Sequence, residues 1–327
     1  MVIKSIGVGG AFTEKLYHQC YMLSENGRNF FFDFGQQIFP HALKNAGLTA
    51  NDVHEVMITH CHDDHIGSLG MLGLRKYDFV NKPRNWKDSK TNPPKLVIHE
   101  SLLPEVIACT SGNFKTIEGF QSNLDTFFEV KTLKDNEHYS FEGWDFQMVQ
   151  QVHVMAGSVL MNTFGLYGEK DGKSFFITSD TQYFQPRQVM SFYNKAQLVI
   201  TDCETIGSNF LFDEGTLVFK NKEGKYEKWP EDEMKSLELM ASGVNQEKWG
   251  VLKFLSGVHS TYPELAGYRS ANSMMLSDEI KSKIWLSHYG DHVIDGKDAF
   301  GNPIDWDARA KKDGLAGFVK LGQKFIL

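Results

Sequence analysis

Three histidines and two aspartates are concentrated in the six residues from His60 to His65, within the segment "ITHCHDDHIGS". The chain has 327 residues and only 12 histidines, so this clustering is unusual. Imidazole and carboxylate groups are ligands for zinc and similar divalent ions. His60 and His62 follow an apolar run and are two residues apart, so both rings can reach one ion. Asp64 and His65 exceed what the same tetrahedral ion would accept, so the motif HxHxDH predicts a second ion beside the first.

Two ions need further ligands, and the candidates are polar residues that follow predicted strands. His153 follows "FQMVQQV", Asp180 lies in "KSFFITSD", and His288 ends "KIWLSH". A further strand, "AQLVITDC", ends in Asp202 or Cys203. Catalytic groups are commonly found at strand ends, on loops that a rigid sheet positions. A single histidine is more often an ordinary core or surface residue, so the prediction depends on the whole set.

The seven candidate ligands form two groups and a bridge. They are His60, His62 and His153 for one ion, Asp64, His65 and His288 for the other, and Asp180 between the two ions. Zinc is the first choice for these ligands, and manganese, cobalt or iron would also fit. The alternative interpretation of the motif is an exposed polar loop with a chance cluster.

Short apolar strands alternate with helical stretches, which predicts an α/β protein. "CYML" and "NFFFDFG" are predicted strands joined by a turn at "ENGR", and "EVMIT" is a buried strand that leads into the motif. "FPHALKNAG" is a predicted helix ended by Gly47, and "IGSLGMLGLRKY" is a second. The other predicted strands are "VIKSIGVGG", "KLVIH", "FQMVQQV", "NTFGLYG", "KSFFITSD", "AQLVITDC" and "KIWLSH".

The order HxHxDH, then His, Asp and His resembles the metallo-β-lactamase superfamily, from "GVGGAFT" to "WLSHYGDH". The resemblance implies an α/β fold, the αβ/βα four-layer sandwich, in which two mixed sheets pack face to face with helices outside. It also implies a single domain over residues 1–327. Asp33 in "FFDFG" matches the family aspartate that orients the histidine loop, and such partners of metal ligands are expected on physical grounds.

Local segments resemble the ribonuclease Z branch of the superfamily. "THCHDDHIGSLGMLGL", "SDT", "LVITDCET" and "GVHSTYPEL" each resemble a motif of that branch. The resemblance implies that His259 donates a proton to the leaving group and that Glu204 orients His259. Asp64 is assigned a second role, steering the attacking water. The alternative for His259 is a capping or surface histidine.

The sequence also departs from ribonuclease Z. Asp63 replaces the glycine that precedes the motif aspartate, and "LYHQCYML" places His18 where the branch has small polar residues. His18 is therefore expected to enter the pocket. No Gly/Pro-rich arm of the kind that grips tRNA is present in the sequence. The phage anti-Pycsar enzymes of the same branch, which open cyclic mononucleotides, look similar in layout.

The leading hypothesis is a dinuclear metal-dependent phosphodiesterase acting on a small or cyclic nucleotide. Two divalent ions would lower the pKa of a shared water and neutralise the charge of the phosphodiester. One alternative is a ribonuclease Z-type tRNA 3′ endonuclease, so RNA is the second candidate partner. Another is a lactone, thioester or sulfate-ester hydrolase of the same fold, and a third is a non-catalytic metal-binding module. The resemblance also implies a homodimer.

Composition and charge bear on the class of partner and on the location of the protein. The net charge of −7 argues weakly against a broad nucleic-acid-binding surface. The basic segment 75–95, with Tyr77, Phe79 and Trp86, is either a solvated loop or a substrate contact. No apolar run approaches the ~20 residues of a membrane span, and no signal peptide is recognised. Four cysteines without a CxxC pair predict reduced thiols and a cytoplasmic protein.

Residues 207–249 are predicted to be an insertion. "TLVFKNKEGKYEKW" predicts a hairpin around Glu223 and Gly224. "PEDEMKSLELMAS" predicts a helix with Pro230 in its first turn. The insertion is interpreted as a lid or dimer arm, and an ordinary surface elaboration is the alternative.

Overall fold

A computed structural model describes most of the chain. The described ranges are 1–77, 93–117, 120–156, 159–181, 186–204, 210–213, 216–220, 226–228, 258–260, 262–266, 276–297 and 303–327.

The strands and helices in these ranges follow each other in mixed order. The strands are β1 (Val2–Gly7), β2 (Cys20–Glu25), β3 (Arg28–Phe32), β4 (Glu55–Met57), β5 (Lys95–His99), β6 (Thr116–Ile117), β7 (Phe120–Gln121), β8 (Glu129–Leu133), β9 (His138–Phe141), β10 (Trp144–Ala156), β11 (Val159–Lys170), β12 (Lys173–Ile177), β13 (Leu198–Asp202), β14 (Phe210–Asp213), β15 (Thr216–Lys220), β16 (Tyr226–Lys228), β17 (Ile284–Ser287), β18 (Gly317–Phe318) and β19 (Lys324–Ile326). The α-helices are α1 (Leu43–Asn45), α2 (Asp63–Ile66), α3 (Leu69–Leu74), α4 (Leu103–Phe114), α5 (Leu124–Phe127), α6 (Pro186–Lys195), α7 (Tyr262–Ala266), α8 (Asp278–Lys281) and α9 (Trp306–Lys312).

The first large sheet has seven strands in the order β19-β1-β2-β3-β4-β5-β8. β1 to β3 pair antiparallel, and β3, β4, β5 and β8 run parallel. The predicted turn between β2 and β3 is confirmed, with Asn26 at φ 50° and Gly27 at φ 78°. Two consecutive positive φ values match the right-handed twist of a tight hairpin, which explains the Asn-Gly pair.

The second large sheet also has seven strands, in the order β18-β17-β13-β12-β11-β10-β9. β12, β13, β17 and β18 pair parallel, whereas β9 and β10 pair antiparallel. The registers place Ile177 opposite Ile200 and Asp202 opposite Ser287. The carboxyl ends of β12, β13 and β17 therefore lie at the same edge of the sheet.

The chain divides into two compact units. The first unit comprises Met1–Gln150, Asn162–Ser174 and Val319–Leu327, and the second comprises Gln151–Met161 and Phe175–Phe318. The prediction of a single domain over residues 1–327 stays a prediction.

Each unit has an aromatic core of its own. In the first, the fully buried Phe30 ring lies 5.5 Å from Phe141 and 5.1 Å from Phe146. In the second, the ring of Phe318 lies 5.3 Å from that of Tyr289 in a T-shaped contact. Edge-to-face contacts of this kind add to the large apolar area that aromatic side chains bury.

The predicted helix at "FPHALKNAG" forms only in part. Phe39 has the non-helical angles φ −107° and ψ 131°, and regular α-helix is limited to α1. Phe39 precedes Pro40, and a proline ring disfavours the helical conformation of the residue before it. Gly47 has φ 75° and lies just beyond the helix, as predicted. The long helix α4 was not predicted, although its first turn contains Pro104.

The predicted insertion is described only in part. β15 pairs antiparallel with β16, which confirms the predicted hairpin, and β14 joins them in a three-stranded sheet. The predicted helix "PEDEMKSLELMAS" and most of the basic segment 75–95 lie outside the described residues. Among the helices that the structure describes, none has the length and apolarity needed to cross a membrane.

Candidate active site

The HxHxDH motif spans the exit of β4 and the first turn of α2, within the first unit. His62 has extended angles, φ −70° and ψ 148°, and immediately precedes the helix. His60, Asp64 and His65 are buried. Because the chain turns into a helix after His62, the four candidate ligands of the motif are displayed over a short length of chain.

Asp33, at the end of β3, organises this loop. Its carboxylate accepts hydrogen bonds from the Thr59 backbone amide at 2.9 Å and from the Thr59 hydroxyl at 3.0 Å. It also lies 2.8 Å from His65 Nδ1. Burial raises the pKa of Asp33, and the neighbouring His65 opposes that shift. The predicted contact between this aspartate and the histidine loop is therefore present.

These hydrogen bonds fix which ring nitrogen of each histidine is presented. A carboxylate only accepts hydrogen bonds, so His65 Nδ1 carries a proton and Nε2 offers its lone pair. The Thr59 hydroxyl gives its proton to Asp33, so it accepts from His60 Nδ1, which lies 3.0 Å away. His60 Nε2 thus also offers a lone pair. This is the arrangement that metal-binding histidines require.

Distances between the donor atoms of the motif match those of ligands on one ion. His60 Nε2 lies 3.1 Å from His62 Nδ1, and His65 Nε2 lies 3.2 Å from Asp64 Oδ2. Tetrahedral ligands at ~2.0–2.1 Å from a metal stand ~3.3 Å apart. The motif therefore holds two pairs of atoms at the spacing of ligands.

Gly35 lets the β3 exit lie against the motif. A Cβ atom at this position would overlap the carbonyl oxygen of Asp64 and lie 2.9 Å from His18 Cβ. The close approach is fixed by the Phe34 amide, which donates to the carbonyl of His65 at 2.7 Å. Glycine is therefore required here for space rather than for its backbone angles.

The second unit contributes another group of donors, at the carboxyl ends of parallel strands. Asp180 lies just beyond β12, and His288 lies just beyond β17. His288 Nε2 is 3.3 Å from Asp180 Oδ1, and His153 Nε2 is 3.6 Å from Asp180 Oδ2. All three side chains are buried. A single carboxylate thus separates two imidazoles, each facing one of its oxygens.

Hydrogen bonding also fixes the nitrogen that His153 presents. Its Nδ1 donates to the backbone carbonyl of Val258 at 2.7 Å, because that carbonyl can only accept. Nε2 is left facing Asp180. Burial lowers the pKa of His153, which favours the neutral ring that binds metals.

Asp202 joins this group from the end of β13. Its ligand atoms and those of Asp180, His259 and His288 all lie within 4.8 Å of one another. Its carboxylate accepts from the Thr181 amide at 3.0 Å. Two aspartates and two histidines therefore converge at the same edge of the sheet.

His259 lies between two carboxylates. Its Nδ1 is 3.0 Å from Asp202 Oδ2, and its Nε2 is 2.5 Å from Glu204 Oε2. Burial alone lowers the pKa of His259, but Asp202 and Asp180 raise it to about 10. Burial raises the pKa of Asp202, and His259 reverses the shift so that the pKa is lowered overall. The ring is therefore held with a proton available on each nitrogen.

The structure thus brings the predicted site residues together within each unit. His60, His62, Asp64 and His65 form one group, and His153, Asp180, Glu204, His259 and His288 form the other. The prediction that Glu204 contacts His259 agrees with this geometry, and the catalytic roles of both residues stay predictions.

His18 is buried, and its Nδ1 accepts a hydrogen bond from the Gln37 amide at 3.4 Å. Its predicted entry into a pocket stays a prediction. The contacts of Thr59 were missed from the sequence, and Asp202 was identified only as a polar residue at a strand end, with no partner assigned to it. Each is a polar residue at or next to the end of a strand that delivers a histidine or an aspartate. This position in the sequence was the signal that could have identified its role.

The family model described as "Anti-Pycsar protein Apyc1" matches residues 1–211, which is well over half of the chain. The chain belongs to the anti-Pycsar protein Apyc1 family. This membership confirms the resemblance to the anti-Pycsar proteins that the sequence motifs predicted.

The alignment with this chain covers nearly all of one curated member of the family and about half of another. Anti-Pycsar protein Apyc1 of Bacillus phage vB_BsuM-Goe3 is 23% identical over 336 aligned residues, which cover 98% of this chain and 96% of that protein. The protein of the same description from Paenibacillus sp. (strain J14) is 28% identical over 135 residues. That alignment covers 41% of this chain and 51% of the relative, so the chain spans about half the length of the Paenibacillus protein.

Several solved structures share the fold of this chain. The metallo-β-lactamase fold protein YhfI from Bacillus subtilis has a TM-score of 0.58 at 13% identity, covering 99% of this chain and 98% of that chain. Yeast PDE1 has a TM-score of 0.59 at 12% identity, covering 100% and 99%. The short form of human tRNase Z has a TM-score of 0.53 at 16% identity, covering 89% and 94%. The predicted metallo-β-lactamase fold is confirmed.

Proposed function

We propose that this member of the anti-Pycsar family is a dinuclear metal-dependent phosphodiesterase that hydrolyses a cyclic mononucleotide. The observation that carries the proposal is the position of His259. Its ring is held by carboxylates on both nitrogens, and its Nδ1 lies 3.8 Å from Asp180 Oδ2. The two oxygens of Asp180 in turn face His153 and His288, one each. A proton donor beside metal-binding groups is what the cleavage of an ester with an alkoxide leaving group requires.

The proposed ligands are those that the motif and the polar residues after predicted strands indicated in the sequence. They are His60, His62 and His153 for the first ion, Asp64, His65 and His288 for the second, and Asp180 as the bridge. Their donor spacing of 3.1–3.6 Å within each unit supports this assignment, as do the Nε2 atoms that His60, His65 and His153 present. When bound, two divalent ions would supply an activated water and neutralise the charge of the phosphodiester.

The side chains of the protein are given the remaining tasks. Asp64 accepts a hydrogen bond from the attacking water and so directs it toward phosphorus. His259 donates the proton of Nε2 to the departing ribose oxygen. Asp33 acts on neither the water nor the substrate, but it holds the rings of His60 and His65 in one tautomer.

A cyclic nucleotide is favoured over tRNA for two reasons. The chain belongs to the family described as "Anti-Pycsar protein Apyc1". The resemblance of its sequence to anti-Pycsar enzymes is the observation that predicted a cyclic mononucleotide substrate. The sequence has no Gly/Pro-rich arm suited to tRNA, and a net charge of −7 is unfavourable for an extended polyanion. A local cluster of metal charge is sufficient for one phosphodiester.

The proposal extends to the metal, the oligomeric state and the location. Zinc is the metal of first choice for a set of histidine and aspartate ligands, with manganese second. A homodimer is proposed from the ribonuclease Z-like branch, and a cytoplasmic location from the four free cysteines.

The test is hydrolysis by the metal-loaded protein, with 3′,5′-cyclic mononucleotides and a pre-tRNA carrying a 3′ trailer assayed side by side. We expect ring opening of a cyclic nucleotide to a linear monophosphate and no trailer cleavage. His259→Ala should lower the rate by about 100-fold or more with unchanged metal content. Asp180→Ala should lower both the rate and the metal content.

His138→Ala is the matched control. His138 also pairs with an aspartate, Asp145, at 2.7 Å, but its side chain is half-exposed and lies in the first unit. This variant should retain full activity. Trailer cleavage without cyclic-nucleotide hydrolysis, or two bound metals without hydrolysis of any phosphodiester, would contradict the proposal.

A further inference from the structure

The two carboxylates beside His259 act on opposite edges of its ring. Asp202 faces Nδ1 at 3.0 Å, and Glu204 faces Nε2 at 2.5 Å. An imidazole that protonates a leaving group delivers the proton from one nitrogen and is held through the other. One carboxylate therefore lies at the nitrogen through which the ring is held, and the other lies at the nitrogen that delivers the proton.

Asp202 is the more strongly fixed of the two. It is fully buried, and its oxygens accept from the Thr181 amide at 3.0 Å and from the Glu204 amide at 3.1 Å. The Thr178 hydroxyl accepts from the Asp202 backbone amide at 3.1 Å, so the main chain is held as well. A carboxylate with this many donors has one orientation, which is the property that positioning requires.

Glu204 is less constrained. Its side chain is 21% exposed, against 0% for Asp202. It follows the end of β13 by two residues, whereas Asp202 is the last residue of that strand. A longer, partly exposed side chain is free to leave His259 Nε2 when another acceptor binds there.

Asp202 also contacts the ring of His288. Its Oδ1 lies 3.5 Å from His288 Nδ1, while its Oδ2 faces His259. The rings of His259 and His288 are stacked with their centroids 5.1 Å apart. One buried carboxylate thus sets the orientation of a candidate proton donor and of a candidate metal ligand at the same time.

We propose that Asp202 is the positioning residue for His259, and that Glu204 occupies the ring edge at which the leaving oxygen must bind. The inference rests on the proposed phosphodiesterase function and reassigns the orienting role that the family resemblance gave to Glu204. As the phosphorus–oxygen bond breaks, the leaving oxygen takes the Nε2 proton and His259 becomes neutral. A proton from water restores it, and Asp202 stays ionised throughout.

The test compares two phosphodiesters that differ in their need for a proton. Cleavage of a cyclic nucleotide releases a ribose alkoxide, which needs a proton. Cleavage of bis(p-nitrophenyl) phosphate releases a phenolate that is stable without one. Asp202→Asn should lower kcat for the cyclic nucleotide by about 100-fold, with a change of less than about threefold in KM and in turnover of the activated ester. Equal losses on both substrates would overturn the proposal, because a purely structural defect does not distinguish leaving groups.

Glu204→Gln should behave differently. Removing a negative charge from the edge at which an anionic substrate binds should lower KM for the cyclic nucleotide and change kcat by less than about tenfold. A loss of kcat in Glu204→Gln as large as that in Asp202→Asn, on the cyclic nucleotide alone, would return the orienting role to Glu204.

A double-mutant cycle guards against misfolding or loss of metal. In a His259→Ala background, Asp202→Asn should cause no further loss of cyclic-nucleotide turnover, because a positioning residue acts only through the group that it positions. Additive losses would overturn the assignment. Metal content is measured for every variant to separate an effect through His288 from one through His259.

Asp313→Asn is the matched control. Asp313 is also a mostly buried aspartate of the second unit, and it accepts hydrogen bonds from Tyr262 at 2.7 Å and Arg309 at 2.9 Å. It should leave both activities unchanged. If the wild-type protein hydrolyses neither ester, the proposed function fails. If it hydrolyses both and Asp202→Asn is indistinguishable from Asp313→Asn, only the positioning inference fails.

Discussion

Asp33 shows how one side chain can determine the state of several others. It fixes His65 directly and His60 through the Thr59 hydroxyl, so a single buried carboxylate sets the tautomers of two candidate ligands. It does so from a backbone conformation with φ 64°, which is uncommon for an aspartate and costs free energy. Such strain is tolerated where the surrounding hydrogen bonds over-determine the conformation.

Asp33→Asn should therefore weaken metal binding while leaving every proposed ligand in place. The amide cannot accept as many hydrogen bonds, and partners of this kind typically contribute about 10–100-fold in affinity. Competition with a chromophoric chelator measures the effect. Asp145→Asn is the control, because it removes the charge from an exposed His–Asp pair. Equal affinities in both variants would contradict the role assigned to Asp33.

The four free cysteines differ in their surroundings, which predicts an order of alkylation. Cys109 is exposed, Cys61 is partly buried, and Cys20 and Cys203 are buried. Burial raises the pKa of the Cys20 thiol, and burial together with Cys109 raises the pKa of Cys61. Because the thiolate is the reactive form, iodoacetamide should label Cys109 first and Cys20 and Cys203 only after unfolding. Mass spectrometry of the labelled peptides over time measures this order. Labelling of Cys203 as fast as that of Cys109 would contradict the prediction.

At the scale of elements, a buried carboxylate links three strands of the first unit. Glu55 on β4 pairs with Arg28 on β3 at 2.7 Å and accepts from the hydroxyl of Tyr139 on β9 at 2.5 Å. Burial is the main cause that raises the pKa of Tyr139, and Glu55 adds to it. The arrangement is stable only if both partners of the carboxylate are present, since an unsatisfied buried charge is costly.

Tyr139→Phe should lower the free energy of unfolding by about 1–3 kcal/mol, because it removes a hydrogen bond to a buried charged group. Urea denaturation measures the change. Tyr167→Phe deletes the same atom from a hydrogen bond to the exposed Glu169 and should have a smaller effect. If the control destabilised the protein as much, the burial of Glu55 would not be the reason.

Lys76 follows α3 and provides a prediction about pH. Burial lowers its pKa to about 8, and its ammonium donates to the Val53 carbonyl at 2.6 Å. Between pH 8 and the ordinary lysine value of 10.5, the unfolded chain binds more protons than the folded chain. Stability contributed through Lys76 therefore rises with pH in this window.

Lys76→Met removes this dependence. The free energy of unfolding of the variant, minus that of the wild type, should fall steadily between about pH 8 and pH 10.5 and be constant below pH 8. Urea unfolding at several pH values gives the difference, and its slope is unaffected by the lost hydrogen bond, which only adds an offset. A constant difference across the window would show that the pKa of Lys76 is not lowered.

At the scale of the whole molecule, metal binding by the proposed ligands should stabilise the fold against heat, because the ions bind the folded chain. A metal that binds only the folded chain at a concentration of 100 times its Kd adds about 2.7 kcal/mol. Chelation of the metal-loaded protein should accordingly lower the temperature of unfolding. Asp180→Ala should unfold at the same temperature with and without chelator, as calorimetry can measure. An equal response of the variant to chelation would remove Asp180 from the proposed centre.

Much of the fold was predictable because local patterns agreed with the tertiary structure. The β2–β3 turn follows from Asn26 and Gly27, whose backbone preferences are local. The strands that precede Asp180 and His288 follow from apolar runs with polar residues after them. The helix at "FPHALKNAG" was overestimated because the effect of Pro40 on Phe39 was not weighed. The family and the fold that the motif spacing predicted were confirmed. The substrate and the ligand roles stay proposals.

The sequence by itself determined which chemistry the protein can carry. The motif from His60 to His65 is contiguous, so its ligand types and order are legible without a structure. Only the tertiary structure decided how the partners are arranged. Asp202 lies 57 positions from His259 along the chain, and their contact at 3.0 Å arises because a parallel strand delivers the carboxylate to the edge of the sheet where the histidine is held. Hydrogen-bond geometry of this kind depends on long-range packing, and no local pattern in the sequence encodes it.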